Sequence, residues 1–383
     1  MGGGVARGDE SLGAMAVLHL IDSLAAGGAQ TSLQAMMELP EAANHHLIAL
    51  RETTGSIRIR SERVHICRSP SRFSLRPLFL ISRLISAHKV EILHCHLLRS
   101  QVFGLFLRQC FFRKLKLVFH EHGQIFGSND NRPIENAIYA AIIRFCAPRV
   151  DHFLAGSGSA RAALIATARR IRDKSSIVLA PIRDLTRAPV VDSGLRAALR
   201  IAPKTFVVGF AGRIIAGKGW RDLVNALNQL GSERDVFLLV AGDGPDRAQL
   251  LEALRMSALA DRHHWLGVQS EMSGFYRALN CMVVPSHREA QGLVQIEAQS
   301  LGVPVVAANV PGMRETLADE ENALLFEVQN AGALARQIDR LISDPPFRER
   351  LIAAGKVNAA RFGAGEFLCR LEAVYDRLGA HTR

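Results

Sequence analysis

Two carboxylates on either side of a glycine mark the most informative stretch of the chain. Glu289 lies in a loop predicted to follow a strand, and Glu297 lies on a helix predicted to begin at Gly292. The free N–H groups near Leu293 and Val294 would form an anion site at the start of that helix. Carboxylates flanking an anion site suit a ligand with hydroxyls on both sides of a phosphate, such as one that consists of a sugar, a diphosphate and a ribose. The alternative, in which Glu289 caps the helix and Glu297 pairs with an arginine, is less favoured by the spacing.

A pair of cations follows the strand predicted at Phe206–Phe210. Arg213 and Lys218 lie five residues apart and are flanked by glycines, among them Gly212. A planar guanidinium and a compact ammonium could together hold a phosphate group. The Gly-x4-Gly-Lys-Ser/Thr spacing of a Walker loop is absent. The competing interpretation is a pair of solvated surface cations.

Glycines also follow two other predicted strands. Gly27 and Gly28 come after the first strand, and Gly242 opens a Gly-Asp-Gly-Pro turn in the second half of the chain. Such positions let the backbone approach a ligand closely, although a plain turn explains Gly27-Gly28 equally well. The third glycine of a dinucleotide fingerprint is missing, which argues against an NAD-dependent oxidoreductase.

Histidines recur at strand ends in the first half, in a His-Cys-His run at 94–96 and a His-Glu-His run at 120–122. Residues i and i+2 of a strand share a face, so a converging pair could bind a metal. Neither an HExxH motif nor a carboxylate-rich set accompanies them, so no metal site is predicted. A cleft histidine that contacts substrate is the favoured role, whereas ordinary packing is expected for His94 and His19.

Short apolar runs alternate with helix-length segments through both halves of the chain. Apolar strands separated by helices indicate parallel sheets covered on both faces, and ligands bind beyond the carboxyl ends of such strands. The sequence therefore predicts a two-domain α/β protein. The predicted strands are Ala16–Ile21, Val90–His94, Lys116–Phe119, His152–Ala155, Ser176–Leu179, Phe206–Phe210, Phe237–Val240, Cys281–Val284 and Pro304–Ala307. The predicted helices include Arg76–His88, Ser100–Lys116, Asp222–Leu230, Asp246–Leu254 and Leu293–Leu301.

The chain is expected to divide at a segment interrupted by prolines and a glycine. Residues 15–184 form the predicted first domain, 205–362 the second, and 185–204 the linker. Residues 1–14 are rich in glycine and are interpreted as a disordered tail. The last segment, 363–383, has the pattern of an amphipathic helix, and the first domain is a candidate surface for it to pack on.

Composition excludes several classes of protein. With 48% apolar and 22% charged residues, the 383-residue chain is not disordered, collagen-like or a disulfide knot. Its six cysteines lie far apart without a CxxC pair, which argues against a zinc ribbon and fits a reducing compartment. No apolar run approaches the roughly 20 residues of a membrane span, and the amino-terminal residues lack a signal peptide's apolar centre. A cytoplasmic protein is expected.

The positive charge is concentrated in one segment. Residues 51–116 contain fourteen Lys and Arg against three Glu, so they carry +11, which equals the net charge of the whole chain. The predicted helices in this segment mix apolar and basic residues, which predicts contact with an anionic membrane. The inner face of the membrane is the expected place of that contact. Core-packed helices with basic outer faces are the alternative. Nucleic acid is not expected, because no RNA- or DNA-binding signature is present.

These motifs together resemble the retaining glycosyltransferases of family 4. The resemblance runs from about Val17 to the end of the chain and keeps the family's order. It implies the GT-B architecture, in which two Rossmann-like, doubly wound parallel-sheet domains face each other across a cleft. The motifs that carry it are Gly27-Gly28-Ala29-Gln30, Arg213…Lys218-Gly219, Gly242-Asp243-Gly244-Pro245, Glu289-x7-Glu297, 301–306 and Pro311-Gly312.

The resemblance implies transfer of a sugar from a UDP- or GDP-linked donor, with retained anomeric configuration and neither a metal nor another cofactor. The implied acceptor is a hydroxyl, and the basic segment suggests a lipid-linked or envelope polysaccharide precursor. Arg213 and Lys218 would bind the diphosphate, Glu289 would face the donor sugar, and His122 would be the cleft histidine, with His120 as the alternative. The implied donor-binding positions are Gly27, Gly28, Gly212, Gly242, Gly292, Leu293, Val294 and Glu297, with Glu297 on the ribose hydroxyls.

The sequence departs from the family pattern at two places near the predicted cleft. Ala180-Pro181 stands where the family often has Asn-Gly, and Ala290-Gln291 replaces a frequent Gly-Phe. These changes put the linker-side contacts and the choice of sugar in doubt. A nucleotide-sugar epimerase of the same architecture and a non-catalytic nucleotide-sugar-binding protein remain as alternatives.

Overall fold

Two parallel β-sheets form the framework of the protein. The computed structural model describes residues 15–25, 27–53, 57–68, 74, 76–122, 133–187, 194–231 and 234–380. Within them, seven strands form the first sheet in the order β3-β2-β1-β4-β5-β6-β7, and six form the second in the order β10-β9-β8-β11-β12-β13. The predicted two-sheet α/β class is confirmed. The predicted tail, 1–14, lies outside the described residues.

The strands are short and mostly buried. In the first sheet they are β1 (Val17–Ile21), β2 (His45–Ala49), β3 (Val64–Ile66), β4 (Ile92–His96), β5 (Lys116–Glu121), β6 (His152–Ala155) and β7 (Ser175–Ile177). In the second sheet they are β8 (Phe206–Ala211), β9 (Val236–Ala241), β10 (His263–Trp265), β11 (Cys281–Val284), β12 (Val305–Ala308) and β13 (Leu324–Phe326).

Helices connect these strands. Those associated with the first sheet are α1 (Gly28–Met37), α2 (Arg76–Ala87), α3 (Leu98–Cys110), α4 (Pro133–Cys146) and α5 (Gly158–Thr167). The later ones are α6 (Leu195–Ala198), α7 (Trp220–Gln229), α8 (Arg247–Arg255), α9 (Ser273–Arg277), α10 (Val294–Ser300), α11 (Pro311–Arg314), α12 (Ala331–Ser343), α13 (Pro345–Ala360) and α14 (Ala364–Ala380). Among the described helices, none combines the length and apolar character needed to cross a bilayer.

Four strands were not predicted from the sequence, namely β2, β3, β10 and β13. Three of them are only three residues long and close an edge of their sheet, and β2 begins with two histidines, so none carries a long apolar run. The predicted strand Val90–His94 was shifted, because β4 continues to His96. The predicted helix Ser100–Lys116 was too long, because α3 ends at Cys110 and Lys116 already begins β5.

The last helix closes the core of the first domain. After the second domain is complete, α14 returns to the first sheet, where Leu371 and Tyr375 are buried in one apolar cluster with Val17 and Ile21. The Tyr375 hydroxyl lies 2.6 Å from Nδ1 of His94 on β4. The carboxyl-terminal helix therefore ties the two domains together covalently and by packing.

The segment predicted as a linker is only partly a linker. Its residues Leu185 and Ile201 are buried in the apolar core of the second domain. Residues 188–193 lie outside the described part of the chain. At the crossing back to the first domain, the Ile182 N–H donates to the carbonyl of Phe362 at 2.9 Å.

Truncating the contact that α14 makes with the first domain should destabilise the fold. Leu371 is fully buried, so Leu371→Ala should lower the free energy of unfolding by about 2–5 kcal/mol, measured by denaturant titration followed by circular dichroism. Cys369→Ala, which changes an exposed side chain on the same helix, is the matched control and should shift it by less than about 0.5 kcal/mol. Equal stabilities of the two variants would contradict this role for α14.

Candidate active site

Several of the predicted site residues lie at the carboxyl ends of strands near the points where strand order reverses. In the second sheet this point is between β8 and β11, and in the first it is between β1 and β4. Parallel strands that diverge there leave a crevice in which ligands of α/β proteins bind. Arg213 and Lys218 follow β8, Glu289 follows β11, and Gly27-Gly28 follows β1.

Lys218 and Glu289 form a direct ion pair. The distance from Nζ of Lys218 to Oε2 of Glu289 is 2.5 Å, and both side chains are partly buried. Partial burial reduces the screening of the pair by water. An incoming phosphate would compete with the Glu289 carboxylate for the Lys218 ammonium. The structure therefore joins two of the predicted residues, 71 positions apart in sequence, at one point.

A close backbone contact holds these two loops together. Gly219 has a φ of +69°, and a Cβ atom at this position would lie 1.9 Å from the carbonyl oxygen of Pro285, so only glycine fits. The His287 N–H donates to the carbonyl of Gly217 at 2.9 Å. Nε2 of His287 lies 2.7 Å from Oδ2 of Asp222. The ion pair is thus built on two loops that are fixed to each other.

Arg213 is held differently. Its side chain is exposed, and among the described residues it has no hydrogen-bond or ion-pair partner. Its backbone is fixed by Gly212 N–H donating to Ala241 at 3.0 Å. Beside it, Gly242 has a φ of +124°, and a Cβ atom there would lie 2.0 Å from the Gly212 carbonyl oxygen. The Arg213 guanidinium is not paired with Lys218 or Glu289. Because its side chain is exposed, the guanidinium can turn toward an anion.

Glu297 lies on α10 with its carboxylate buried. The Tyr276 hydroxyl donates to Oε2 of Glu297 at 2.7 Å, so the partner is a tyrosine and not the arginine considered from the sequence. Burial raises the pKa of Glu297, while the hydrogen bond from Tyr276 and the nearby charge of Arg183 oppose that shift. Sequence reasoning missed Tyr276, which lies on the short helix α9 and has no motif around it.

The helix that carries Glu297 begins later than predicted. Gly292 does not open it, because α10 starts at Val294 with Leu293 as its N-cap residue, and Gly292 lies in the preceding turn with a φ of +71°. The backbone at the expected anion site therefore forms a turn at Gly292, and a helix of two turns follows it.

Gln291 explains both departures from the family pattern. Its side chain accepts from the Ala180 N–H at 2.7 Å and donates to the Ala180 carbonyl at 2.9 Å. The glutamine that replaces the usual apolar residue therefore binds the backbone of the segment where the usual Asn-Gly is absent. The linker segment is therefore in contact with the loop after β11.

The two domains face each other across the site. Gly28 lies opposite Leu293 of the second domain, and a Cβ atom added to this exposed glycine would lie 3.8 Å from Cδ1 of Leu293. Farther along, the Glu315 carboxylate accepts from the N–H groups of Gly158 at 2.7–2.8 Å and of Ser159 at 3.3 Å. A carboxylate at the start of α5 is favoured by the helix dipole and by the free N–H groups there. The Glu315 contact therefore joins the two domains.

Six histidines line one face of the first sheet, from the amino end of β2 to the carboxyl end of β5. We call them the histidine cluster, which comprises His19, His45, His94, His96, His120 and His122. A chain of contacts links His45, His19, His96 and His122, with N–N distances of 2.9, 3.0 and 2.9 Å. The sequence indicated the two pairs, but His45 was missed because β2 was missed.

Accessibility separates the two candidates for the cleft histidine. His120 is buried, whereas His122 lies just after β5 and is partly exposed. Burial lowers the pKa of His122 to about 4, so its imidazole is neutral at physiological pH. Of the two, His122 is better placed to contact a ligand.

The fold and the loops at its cleft define a protein of the GT-B class. The first half, residues 14–182, matches the model described as "Glycosyltransferase Family 4", and residues 193–358 match "Glycosyl transferases group 1". Together the two matches span most of the chain, which belongs to the glycosyltransferases of the family 4 type.

Curated relatives match over part of their length. The lipopolysaccharide core biosynthesis glycosyltransferase LpsD of Rhizobium meliloti is 33% identical over 174 residues, which are 45% of this chain and 50% of that protein. The capsular polysaccharide biosynthesis glycosyltransferase CapM of Staphylococcus aureus is 32% identical over 174 residues, or 45% and 46% of the two chains. The chain thus spans about half the length of the curated relatives it matches.

Solved structures support the fold over nearly the whole chain. Anabaena HepE, solved in complex with UDP-glucose, has a TM-score of 0.78 at 21% identity and covers 95% of this chain and 99% of its own. A sucrose-phosphate synthase from Thermosynechococcus elongatus has a TM-score of 0.79 at 22% identity, with 96% and 100% covered. At these identities the likeness establishes the GT-B fold.

The glycine contact beneath the ion pair gives a direct test of the site's construction. Gly219→Ala should lower the free energy of unfolding by at least about 1–3 kcal/mol, because the left-handed backbone is strained and the new methyl group meets the Pro285 carbonyl. Denaturant titration measures the change.

The matched control for this substitution lies two residues away. At Gly217 a Cβ atom would meet nothing within 4 Å, so Gly217→Ala should change stability by less than about 0.5 kcal/mol. If both variants were equally stable, the result would contradict the close contact between Gly219 and the Pro285 carbonyl.

Proposed function

We propose that the chain is a retaining glycosyltransferase that moves a sugar from a UDP- or GDP-linked donor to an acceptor hydroxyl. The Lys218–Glu289 pair at the β8–β11 switch point is the observation that carries this proposal, since it sets a cation and a carboxylate where the donor of a GT-B protein would lie. That the related fold of HepE was solved with UDP-glucose supports a nucleotide sugar as the donor.

The donor would be recognised by the residues around this pair. Its diphosphate would replace Glu289 as the ion-pair partner of the Lys218 ammonium. The diphosphate would also bind the exposed Arg213 guanidinium. The released Glu289 carboxylate would then accept hydrogen bonds from the hydroxyls of the donor sugar. Glu297, fixed by Tyr276, would bind the ribose hydroxyls. Gly28 and Leu293 lie close enough across the cleft to enclose the sugar.

In the reaction, the bond between the anomeric carbon and the diphosphate oxygen breaks. The acceptor oxygen forms its bond to the same face of that carbon, which retains the configuration. The acceptor proton passes to the leaving phosphate oxygen, so no protein carboxylate needs to act as nucleophile. Arg213 and Lys218 offset the growing charge on the leaving group, which is why we expect transfer to proceed without a metal or another cofactor.

A donor screen tests the function. Each UDP- and GDP-sugar is incubated with the protein, with and without a crude lipid acceptor, and release of the nucleoside diphosphate is measured. Acceptor-dependent release supports transfer, and NMR of the product's anomeric proton tests retention. Conversion of the donor without an acceptor would indicate an epimerase, and binding without turnover would indicate a binding protein.

The charge on Lys218 should matter for turnover more than for binding. With the donor identified by the screen, Lys218→Ala should lower kcat about 100-fold or more, with a smaller rise in KM, because the charge acts mainly in the transition state. Arg221→Ala removes an equal charge three residues away, where the guanidinium stacks on Trp220, and should retain turnover. An unchanged kcat in the Lys218 variant would refute this assignment.

The acceptor is proposed to be a lipid-linked or envelope saccharide at the inner face of the membrane. The first domain exposes a mixed surface on α2, on α3 and on the turn after α3, which we call the basic aromatic surface. Phe79 is 80% exposed, Phe111 63% and Phe106 46%. The basic aromatic surface comprises Phe79, Arg83, Phe106, Phe111, Arg113 and Lys114. Exposed aromatic rings beside cations are typical of proteins that dock on anionic lipid surfaces.

Vesicle sedimentation tests this contact. The protein should bind anionic vesicles more than neutral ones at low salt, and added salt should weaken binding. The triple variant Phe79→Ser, Phe106→Ser, Phe111→Ser should reduce recovery with anionic vesicles by about tenfold or more. Met256→Ser, at an equally exposed apolar residue of the second domain, is the control. Equal recovery with both vesicle types would count against a membrane contact.

A further inference from the structure

The end of the histidine cluster nearest the cleft brings three imidazoles to one point. His96 and His120 lie in register on the neighbouring strands β4 and β5, and His122 follows two residues after His120 on the same side. One ring nitrogen from each lies within 4.8 Å of the other two. Nitrogen ligands about 2.0–2.1 Å from a tetrahedral Zn²⁺ lie roughly 3.4 Å apart, so small side-chain rotations would suffice to bind an ion.

The side chain of His120 has no polar partner among the described residues. Both its ring nitrogens are buried, and neither has a hydrogen-bond partner in the part of the chain that the structure describes. A buried imidazole without partners is costly, and such an atom calls for a ligand, a water or an ion. His120 is therefore an independent sign that this point is built to receive something.

The protonation of the three side chains fits metal binding. Burial lowers the pKa of His96, His120 and His122, so all three are in the neutral form that binds metals. Nδ1 of His96 and Nε2 of His122 face each other at 2.9 Å. Only one of these two facing nitrogens carries a proton in that contact. With the ring protons on Nε2 of His96 and on Nδ1 of His122, both facing nitrogens have free lone pairs. His96 then donates from Nε2 to Nδ1 of His19, 3.0 Å away, and this outer hydrogen bond orients a metal-binding histidine.

A second triad within the cluster is less suited to the role. His19, His94 and His96 also bring nitrogens within 4.8 Å, but all three are fully buried. Both ring nitrogens of His19 are already engaged, with His45 and His96. In the first triad, His122 follows the end of β5 and is partly exposed, so an ion can reach it from solvent.

We propose that His96, His120 and His122 bind one divalent transition-metal ion of the Zn²⁺ class. Three histidines leave the fourth tetrahedral position free. This site lies in the first domain and is separate from the phosphate-binding residues of the second domain. It does not depend on the proposed transfer reaction, which needs no ion at this point.

The test measures metal binding directly on the full chain without a polyhistidine tag. After treatment with a chelator, the protein is titrated with Zn²⁺ in competition with a chromogenic chelator, and with Co²⁺ to read the coordination geometry from its visible absorption. We expect one equivalent to bind, with a four-coordinate Co²⁺ spectrum and a higher melting temperature of the loaded protein. No uptake, or a six-coordinate spectrum, would overturn the proposal.

Substitutions locate the ion. His122→Ala, at the most exposed ligand, should weaken Zn²⁺ binding by about 100-fold or more. If that variant fails to fold by circular dichroism, His122→Gln, which keeps a hydrogen-bond donor beside His96, decides the point. His88→Ala removes an exposed histidine that packs on His46 outside the cluster, and it should bind as the native chain does. Unweakened binding in the His122 variant, or equal loss in the His88 variant, would refute the assignment.

Discussion

The close approach of two loops, one after β8 and one after β11, is the constraint on which the candidate site depends. Gly219 lies against the Pro285 carbonyl with no space for a side chain, and this contact sets Lys218 beside Glu289. Because the two strands are neighbours at the point where strand order reverses, their loops meet at the crevice rather than beside a covering helix. The ion pair is thus a consequence of topology and of one backbone conformation.

The second constraint is the arrangement of the two domains. Hydrogen bonds of Gln291 with Ala180 and of Glu315 with the start of α5 join the two domains near the candidate site, and α14 packs on the first sheet. The Gln291 side chain joins the two segments that depart from the family pattern, because it both accepts from and donates to the Ala180 backbone. Side-chain amides suit this role because they donate and accept at once.

One face of the first sheet contains an unusual polar core. Histidines from four neighbouring strands form a chain of ring contacts, and Tyr375 from the last helix reaches the same region. Since buried polar groups destabilise a fold unless they are satisfied, such a cluster in a sheet core needs a reason beyond packing. The same sheet carries the basic aromatic surface on its outer helices, so its two sides have different chemical characters.

The sequence by itself determined the class of the fold, because parallel sheets require apolar strands alternating with helices, and that pattern is local. It also predicted which loops carry the candidate site, because Arg213, Lys218 and Glu289 directly follow recognisable strands. It could not determine the short edge strands or the true start of α10, since those depend on neighbours and not on their own residues. Nor could it find Tyr276 as the partner of Glu297, the Gln291–Ala180 contact or the gathering of six histidines. Each of these joins residues far apart in sequence, and only the packed tertiary structure brings them within bonding distance.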